Sequence, residues 1–445
     1  MLAFAAIPSV STDPAYQEGM AAAAEWVSRR MKRAGLEQVQ VLPTGRHPVV
    51  YGEWLHAGDA PTLLIYGHYD VQPPDPLDAW QSPPFAPTVR EGRVYARGVS
   101  DDKGPMLIPI LVAEAFLHSG GQLPVNVKFM FEGEEEIGSP SLAPFAAAHG
   151  ELLAADFVLS ADGAMWRSDL PSVIVASRGL VGLNFTVTGA AKDLHSGRHG
   201  GGIANPLHAL ARLVASLHDE DGRVAVEGFY SQVEELSPQE RQAIQAIPFD
   251  EEQYLADVGA PALVGEPGYT LLERHWIRPT LDVNGLWGGY QGAGGKTVIP
   301  HAAHAKLTCR LVPAQDPADI AAKIAAHLEA HLPPGVDLSV EPAGPGVRAY
   351  ALPRDHPGLL VAEQVLGVVD GQSPVRVRLG GTLPAAEVFL RELGVHTIFF
   401  SFSTADEDFH APNEFFRLQR FYTGMEAWAR YWTQTRNFVV VPISD

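Results

Sequence analysis

The fold of this chain is decided by residues 61–73, which read Pro61-Thr62-Leu63-Leu64-Ile65-Tyr66-Gly67-His68-Tyr69-Asp70-Val71-Gln72-Pro73. The first part is a short apolar run typical of a buried central strand. Residues two apart on an extended backbone point to the same side, so His68 and Asp70 should face one way. A neutral imidazole is a good zinc ligand, and a carboxylate beside it can orient the ring. A lone His-x-Asp pair more often caps a turn, so its interpretation depends on the rest of the chain.

Helical and strand patterns alternate around this stretch. Helices are predicted at 15–34, 105–118 and 140–149, the first of them amphipathic, and strands are predicted between them at 61–66, 124–131 and 155–160. This alternation is typical of an α/β fold with a mostly parallel central sheet and helices packed on both faces.

The pattern changes after Gly179. Residues 182–188 and 304–312 alternate apolar with polar side chains, as half-exposed strands do. Helices at 205–219 and 317–331 and a strand near 336–341 accompany them, after which the opening pattern returns with a helix at 357–367, a strand at 395–401 and a helix at 414–432. We therefore expect one domain from residues 1–179 and 351–445, with residues 180–350 inserted as a separate two-layer α/β domain.

Composition limits the function. The 445 residues carry 52 Asp and Glu against 32 Lys and Arg, a net charge of −20, which argues against nucleic acid or an anionic membrane as partner. Cys309 is the single cysteine, so neither internal disulfides nor a cysteine-based zinc site is expected, and the expected location is cytoplasmic. The apolar residues 1–7 are too short and lack the basic flank of a signal peptide, and no run is long enough to span a membrane.

Acidic residues and histidines follow the predicted strands and one helix start, at Asp101, Glu135, Glu136, Asp162 and His410. Alone, Asp101 would suit a helix N-cap equally well. The carboxyl ends of parallel strands, however, are where open α/β sheets place their sites. Two adjacent glutamates do not both ionise cheaply unless a cation offsets them. Two histidines and three carboxylates suffice for two zinc-like ions if one carboxylate bridges, and Asp70 and Glu135 are then left for chemistry.

Several motifs resemble those of the co-catalytic zinc metallopeptidases, the family of carboxypeptidases, aminoacylases, desuccinylases and carnosine-type dipeptidases. They are Gly-His-Tyr-Asp-Val-Gln-Pro, Ser-Asp-Asp-Lys-Gly, Glu-Gly-Glu-Glu-Glu-Ile-Gly-Ser, Ser-Ala-Asp and Phe-His-Ala-Pro-Asn-Glu, at residues 67–73, 100–104, 132–139, 160–162 and 409–414. The resemblance implies a zinc-aminopeptidase-like catalytic domain with an inserted lid and dimerisation domain.

The same resemblance assigns roles to the strand-end residues. His68 and Asp162 would hold one zinc ion and Glu136 and His410 the other, with Asp101 bridging the two. Asp70 would orient His68, Glu135 would be the general base, and the peptide bond between Asp101 and Asp102 would be cis. Manganese or cobalt could take the place of zinc.

Motifs in the inserted domain are similar to the dipeptidase branch of the family. They are Asp-Leu-His-Ser-Gly, Lys-Thr-Val-Ile-Pro and Arg-Leu-Val-Pro, with Arg-Leu-Gly-Gly-Thr-Leu-Pro from the first domain, at residues 193–197, 296–300, 310–313 and 378–384. The resemblance implies that Arg310 binds the terminal carboxylate of the substrate, that Thr297, Gly381 and Thr382 add contacts, and that His195 stabilises the oxyanion. His195 would come from a partner subunit, so a homodimer through the lid is implied. Ile137 and Thr382 depart from the residues expected there, a small polar residue and a serine, and Thr382 bears on specificity.

The function expected from these residues is metal-dependent hydrolysis of the peptide bond of dipeptides or short peptides. Two zinc ions would activate a water molecule and polarise the carbonyl, with Glu135 as general base. An N-acyl amino acid deacylase, of the acetylornithine deacetylase or succinyl-diaminopimelate desuccinylase type, is the alternative. A non-catalytic metal-binding protein is a third hypothesis, against which Glu135 and the complete ligand set argue.

Overall fold

The structure is a computed structural model that describes residues 1–436. The chain divides into two compact units. The first contains Met1–Val175, Leu352–Val377 and the chain from Pro384 onward, and the second contains Ala176–Ala351 together with Arg378–Leu383. The sequence had placed Arg378–Leu383 in the first domain. This segment groups with the second unit because the backbone N–H of Arg178 donates to the carbonyl oxygens of Leu379 and Gly381.

A six-stranded sheet forms the centre of the first unit. Its strands lie in the order Glu37–Leu42, Val49–Trp54, Asn126–Glu132, Thr62–His68, Phe157–Ser160 and Thr397–Phe399. The last four are parallel, as predicted, and the first two add an antiparallel edge that the sequence did not reveal. Every residue from Leu63 to His68 is buried, which explains why the central strand reads as a nearly continuous apolar run.

Helices cover both faces of this sheet. The longer helices of the first unit are Gln17–Ala34, Gly104–Gly120, Leu142–Ala148, Pro357–Val369, Pro384–Leu393 and Leu418–Thr435. On one face, Leu64 and Tyr66 pack with Phe145 and Phe389 in a buried cluster. On the other face, Gly67 approaches the helix that carries Met106, where an added Cβ would lie 2.9 Å from the Met106 Cβ. Small residues in the sheet therefore allow close packing of the helices.

Shorter elements complete the first unit. They are the helical turns Leu2–Ala5, Pro14–Tyr16, Leu77–Ala79, Val99–Lys103, Glu135–Ile137 and Gly150–Leu153, and a small sheet of Thr88–Arg90, Arg93–Tyr95 and Phe415–Arg417. The predicted final helix at 414–432 was wrong at its start, because Phe415–Arg417 pairs with Arg93–Tyr95 as a strand before the helix begins at Leu418.

The second unit is a two-layer α/β structure. Its antiparallel sheet has the order Thr280–Gly288, Ala302–Leu311, Gly179–Thr188 and Asp337–Pro342. Alternate residues of Gly179–Thr188 are buried, as the alternating sequence predicted. Phe185 and Leu307 pack there with Leu213 and Ile324, which belong to the helices Pro206–Ser216 and Pro317–Ala330.

The remaining elements of the second unit are short. They are the helices Ser196–His199, Pro238–Gln245, Glu251–Val258 and Leu271–Ile277, and a two-stranded sheet of Leu194–His195 with Val298–Ile299. The chain passes between the units within the strands Ser172–Ser177 and Val375–Leu379 and at Tyr350–Ala351. Within residues 1–436, no helix has both the length and the apolar character needed to cross a membrane.

Gly67 tests the packing of the central strand. A Cβ at this position would lie 2.5 Å from Asp102 Oδ2 and 2.9 Å from the Met106 Cβ. We expect Gly67→Ala to lower the free energy of unfolding by about 1 to 3 kcal/mol through overpacking, as measured by urea denaturation. Gly120→Ala is the control, because an added Cβ there has no described atom within 4 Å. Equal stabilities of the two variants would contradict this account of the packing.

Candidate metal centre and active site

Neighbouring strands deliver the candidate ligands to one edge of the first unit's sheet. His68 is the last residue of its strand, Asp162 lies two residues after Ser160, and the helical turn Glu135–Ile137 follows the strand that ends at Glu132. The strand that ends at His68 is parallel to both of the others. Their carboxyl ends therefore meet, which is the position predicted for the site.

The first group of ligand atoms is His68, Asp101 and Asp162. The Nε2 of His68 lies 3.0 Å from Asp101 Oδ1 and 3.9 Å from Asp162 Oδ1. All three ligand atoms lie within 4.8 Å of one another. His68 is fully buried, so its ring is held in place by its surroundings.

The second group is Asp101, Glu136 and His410. The Nε2 of His410 lies 3.0 Å from Asp101 Oδ2 and 3.3 Å from Glu136 Oε2. The two carboxylate oxygens of Asp101 thus face different histidines. Asp101 thus belongs to both groups, and the structure brings together all five residues that the sequence singled out as candidate ligands.

The donor set fits divalent cations. Burial raises the pKa of Asp162 to about 6, and burial also raises the pKa of Glu136. Hydrogen bonds to Asp101 and then to Glu136 raise the pKa of His410 to about 10. The carboxylates thus attract positive charge to this point, and divalent cations would supply that charge while leaving the imidazoles neutral as ligands.

Asp70 contacts both His68 and the turn that carries Glu135. The Nδ1 of His68 lies 3.1 Å from the Asp70 carbonyl oxygen and 3.4 Å from Asp70 Oδ1. The two carboxylate oxygens of Asp70 accept the backbone N–H groups of Glu135 at 3.3 Å and Glu136 at 3.1 Å. The sequence predicted that Asp70 orients His68. The structure adds that the same carboxylate fixes the turn that carries Glu135.

Glu135 lies beside the ligand groups without belonging to either of them. Burial raises its pKa well above the ordinary value, the nearby His68 opposes this shift, and the carboxylates of Asp162 and Glu136 add to it. A carboxylate with increased proton affinity suits a general base.

Comparisons with known proteins place this arrangement in a family. Residues 64–434 match the family described as Peptidase family M20/M25/M40. The chain belongs to this family. The Cys-Gly metallodipeptidase dug1 of Schizosaccharomyces pombe is 30% identical over 441 residues, which cover 96% of this chain and 92% of that protein.

Two solved structures show the same fold over nearly the whole chain. The M20 family metallo-carboxypeptidase Sso-CP2 of Sulfolobus solfataricus has a TM-score of 0.85 at 30% identity, with 98% of both chains covered. Human carnosine dipeptidase 1 has a TM-score of 0.79 at 26% identity, with 98% of this chain and 95% of that chain covered. These matches confirm two predictions from the sequence: the fold class, and membership of the dipeptidase branch of this metallopeptidase family.

Glu414 is a feature of this M20 peptidase that the sequence did not assign. Its buried carboxylate accepts hydrogen bonds from the Arg97 guanidinium at 2.7 Å and from the backbone N–H groups of Gly98, Ser100 and Asp101 at 2.7, 2.9 and 3.1 Å. Glu414 therefore ties the loop of His410 to the loop of Asp101. The signal was its place in the Phe-His-Ala-Pro-Asn-Glu motif, but its partners lie more than 300 positions away in the sequence.

Two further details concern the ligand loops. Sequence reasoning also missed Gln72, whose Nε2 donates to Glu136 Oε2 at 2.8 Å.

The peptide bond between Asp101 and Asp102 is cis, as the resemblance implied. Asp408, His410 and Asn413 all have positive φ, and the side chain of Asn413 is hydrogen-bonded to the backbone of Ala79 and Gln81. The loop that carries His410 is thus fixed by its own contacts.

The second unit holds the other predicted residues in two places. Arg310 Nη1 donates to Thr382 Oγ1 at 2.9 Å, and Gly381 precedes that threonine. His195 and Thr297 lie together elsewhere, at the two-stranded sheet, where the backbone N–H of Ser196 donates to the Thr297 carbonyl oxygen at 3.1 Å. Both of these side chains are exposed.

A substitution at Glu414 tests how the loops that carry Asp101 and His410 are held in place. Glutamine would leave Arg97 without its buried counter-charge and would turn an amide N–H group toward N–H donors. We expect Glu414→Gln to lower the free energy of unfolding by about 2 to 4 kcal/mol. We also expect it to speed the loss of divalent cations on dialysis against a chelator, measured by atomic emission.

Glu426→Gln is the matched control, because Glu426 forms an exposed ion pair with Arg430 on the last helix. That change should alter the free energy of unfolding by about 0.5 kcal/mol or less. A Glu414→Gln protein as stable as the control would contradict the role of Glu414 as an anchor.

Proposed function

We propose that this M20 peptidase is a dinuclear metallodipeptidase that hydrolyses the peptide bond of dipeptides or short peptides. The observation that carries the proposal is the pair of ligand groups that share Asp101, with Glu135 beside them. The relatives named above, a Cys-Gly metallodipeptidase and a carnosine dipeptidase, support dipeptides as substrates.

The residues divide the work as follows. His68 and Asp162 would hold one ion, Glu136 and His410 the other, and Asp101 would bridge them. Two bound cations would lower the pKa of a water molecule and polarise the scissile carbonyl. Zinc is the ion we propose, since imidazole and carboxylate donors suit it, although they suit manganese and cobalt as well.

Glu135 moves the proton in this proposal. Its carboxylate accepts a proton from the attacking water and then donates it to the leaving amine. Asp70 keeps Glu135 in place through the backbone N–H of that residue. Glu135 must be ionised to accept this proton, and cations bound nearby would lower the proton affinity of its buried carboxylate.

Substrate recognition is assigned to residues of the second unit. The Arg310 guanidinium would bind the terminal carboxylate in a bidentate manner, and Thr382 and Gly381 would add contacts from the adjoining segment. Thr297 would add another contact, and His195 would stabilise the oxyanion from a partner subunit.

Glu135 gives the decisive test of the reaction. We expect Glu135→Gln to lower kcat for a dipeptide by a factor of about 100 to 10,000, with the metal content unchanged. Glu136→Gln is the matched comparison, because it should lower the metal content itself. Hydrolysis that survives in Glu135→Gln would remove Glu135 from its role, and faster turnover of N-acetyl or N-succinyl amino acids than of dipeptides would indicate a deacylase.

We propose a homodimer formed at the edge strand Thr280–Gly288. This strand lies at one side of the four-stranded sheet and exposes the apolar side chains of Val283, Leu286 and Trp287. An edge strand with free backbone groups and exposed apolar residues is suited to pair with a second copy. We also propose a cytoplasmic location, which agrees with the single buried cysteine.

The dimer has a direct test. We expect the double variant Val283→Lys, Leu286→Lys to sediment with the mass of one chain where the natural protein has the mass of two, because two like charges are placed on each edge. Val264→Lys is the control, since Val264 is 84% exposed in the same unit but lies outside the strand. A monomeric natural protein, or a dimeric double variant, in analytical ultracentrifugation would contradict the proposed interface.

A further inference from the structure

Arg178 lies in the second unit with no role in the reaction described so far. We propose that Arg178 is a specificity-determining and positioning residue that, together with Arg310, makes the enzyme select peptides with a free terminal carboxylate. The inference rests on the proposed function, because it concerns how the substrate of that reaction is recognised. It adds a second guanidinium to the site.

The two arginines contact the same short segment. The Nε of Arg178 donates to the Gly380 carbonyl oxygen at 2.9 Å and its Nη1 donates to the Arg278 carbonyl oxygen at 3.3 Å. Its backbone N–H is shared between the carbonyl oxygens of Leu379 and Gly381 at 3.2 and 3.0 Å. Arg310 reaches the same segment through Thr382 Oγ1. Arg178 thus fixes the backbone of residues 379–381, and Arg310 contacts the next residue.

The segment has a packed side and an open position. A Cβ added to Gly380 would lie 3.2 Å from the His275 carbonyl oxygen and 3.3 Å from Arg178 Nη2. A Cβ added to Gly381 would have no described atom within 4 Å. There is therefore room for a ligand beside Gly381, between residues held by the two arginines.

The charges at this place are unbalanced. Arg178 is only 8% exposed and Arg310 is half-buried. Among the described residues of the second unit, no carboxylate oxygen lies within 4.0 Å of either guanidinium. Two neighbouring positive charges that are partly removed from water are unfavourable unless an anion joins them. Burial and then the charge of Arg310 lower the pKa of Arg178 to about 10, and the more distant carboxylate of Asp282 opposes this shift only in part.

Arg278 is a buried arginine of the same unit whose guanidinium group is paired with a carboxylate. Its Nε and Nη2 donate to the two carboxylate oxygens of Glu266 at 2.7 and 2.8 Å. Arg278 thus has a direct carboxylate partner in the protein, whereas Arg178 and Arg310 form no ion pair among the described residues of that unit. A carboxylate from the substrate would complete the second pair in the way that Glu266 completes the first.

The test compares a dipeptide with its C-terminal amide in the natural enzyme, Arg178→Lys and Arg178→Met. We expect Arg178→Met to lower kcat/KM for the dipeptide at least tenfold, mainly through KM, and to change the value for the amide less than threefold. Arg178→Lys, which keeps the charge but loses the planar fork, should retain part of the preference for the free carboxylate. Arg278→Lys is the matched control and should leave the preference for the free carboxylate unchanged.

A second measurement keeps the test valid if Arg178→Met does not fold or the amide is cleaved too slowly. A free amino acid and its amide are compared as competitive inhibitors of dipeptide hydrolysis by the natural enzyme and Arg178→Lys. We expect the amino acid to lose affinity in Arg178→Lys while the amide does not.

The outcomes separate this inference from the proposed function. Equal losses for free and amidated compounds, or no preference for the free carboxylate in the natural enzyme, would overturn the role of Arg178 while dipeptide hydrolysis stands. Failure of the natural, metal-loaded enzyme to cleave any dipeptide would overturn the proposed function and this inference together.

Discussion

Repulsion among carboxylates at one edge of the sheet is the constraint on which the site depends. Asp101, Glu136 and Asp162 lie within a few ångströms of a histidine ring nitrogen, and Glu135 is close enough for the charges of Asp162 and Glu136 to raise its pKa. Such a group is stable only if positive charge is placed among the acids. The structure places an imidazole on either side of Asp101, within two groups of three ligand atoms, and cations held by these groups would supply the positive charge.

The rest of the first unit keeps this cluster in place. Asp70 joins His68 to the turn of Glu135, and Glu414 joins the loop of Asp101 to the loop of His410. Each of these anchors is a buried carboxylate that accepts backbone N–H groups, so the loops gain satisfied hydrogen bonds as well as fixed positions. The precision of the site therefore comes from acids that contact the ligands and bind no metal in the proposed arrangement.

In the second unit, two positive charges lie close together at one segment of the chain. Arg178 and Arg310 contact one glycine-containing segment and have no acidic partner among the described residues of that unit. The carboxylate cluster of the first unit calls for cations, whereas the two guanidinium groups at this segment of the second unit favour an anion.

The sequence by itself determined the chemistry of the site and the class of the fold. Apolar runs at 61–66, 124–131 and 155–160 predicted parallel strands, and the polar residues just beyond them predicted candidate ligands, because parallel strands end at one edge. The tertiary structure alone decided which residues support them. Glu414 meets Asp101 across more than 300 positions, and the segment of residues 378–383 groups with the second unit through Arg178. The pattern of apolar and polar residues in a short segment indicates its burial and its secondary structure. Contacts between segments that are distant in the sequence depend instead on how the whole chain packs.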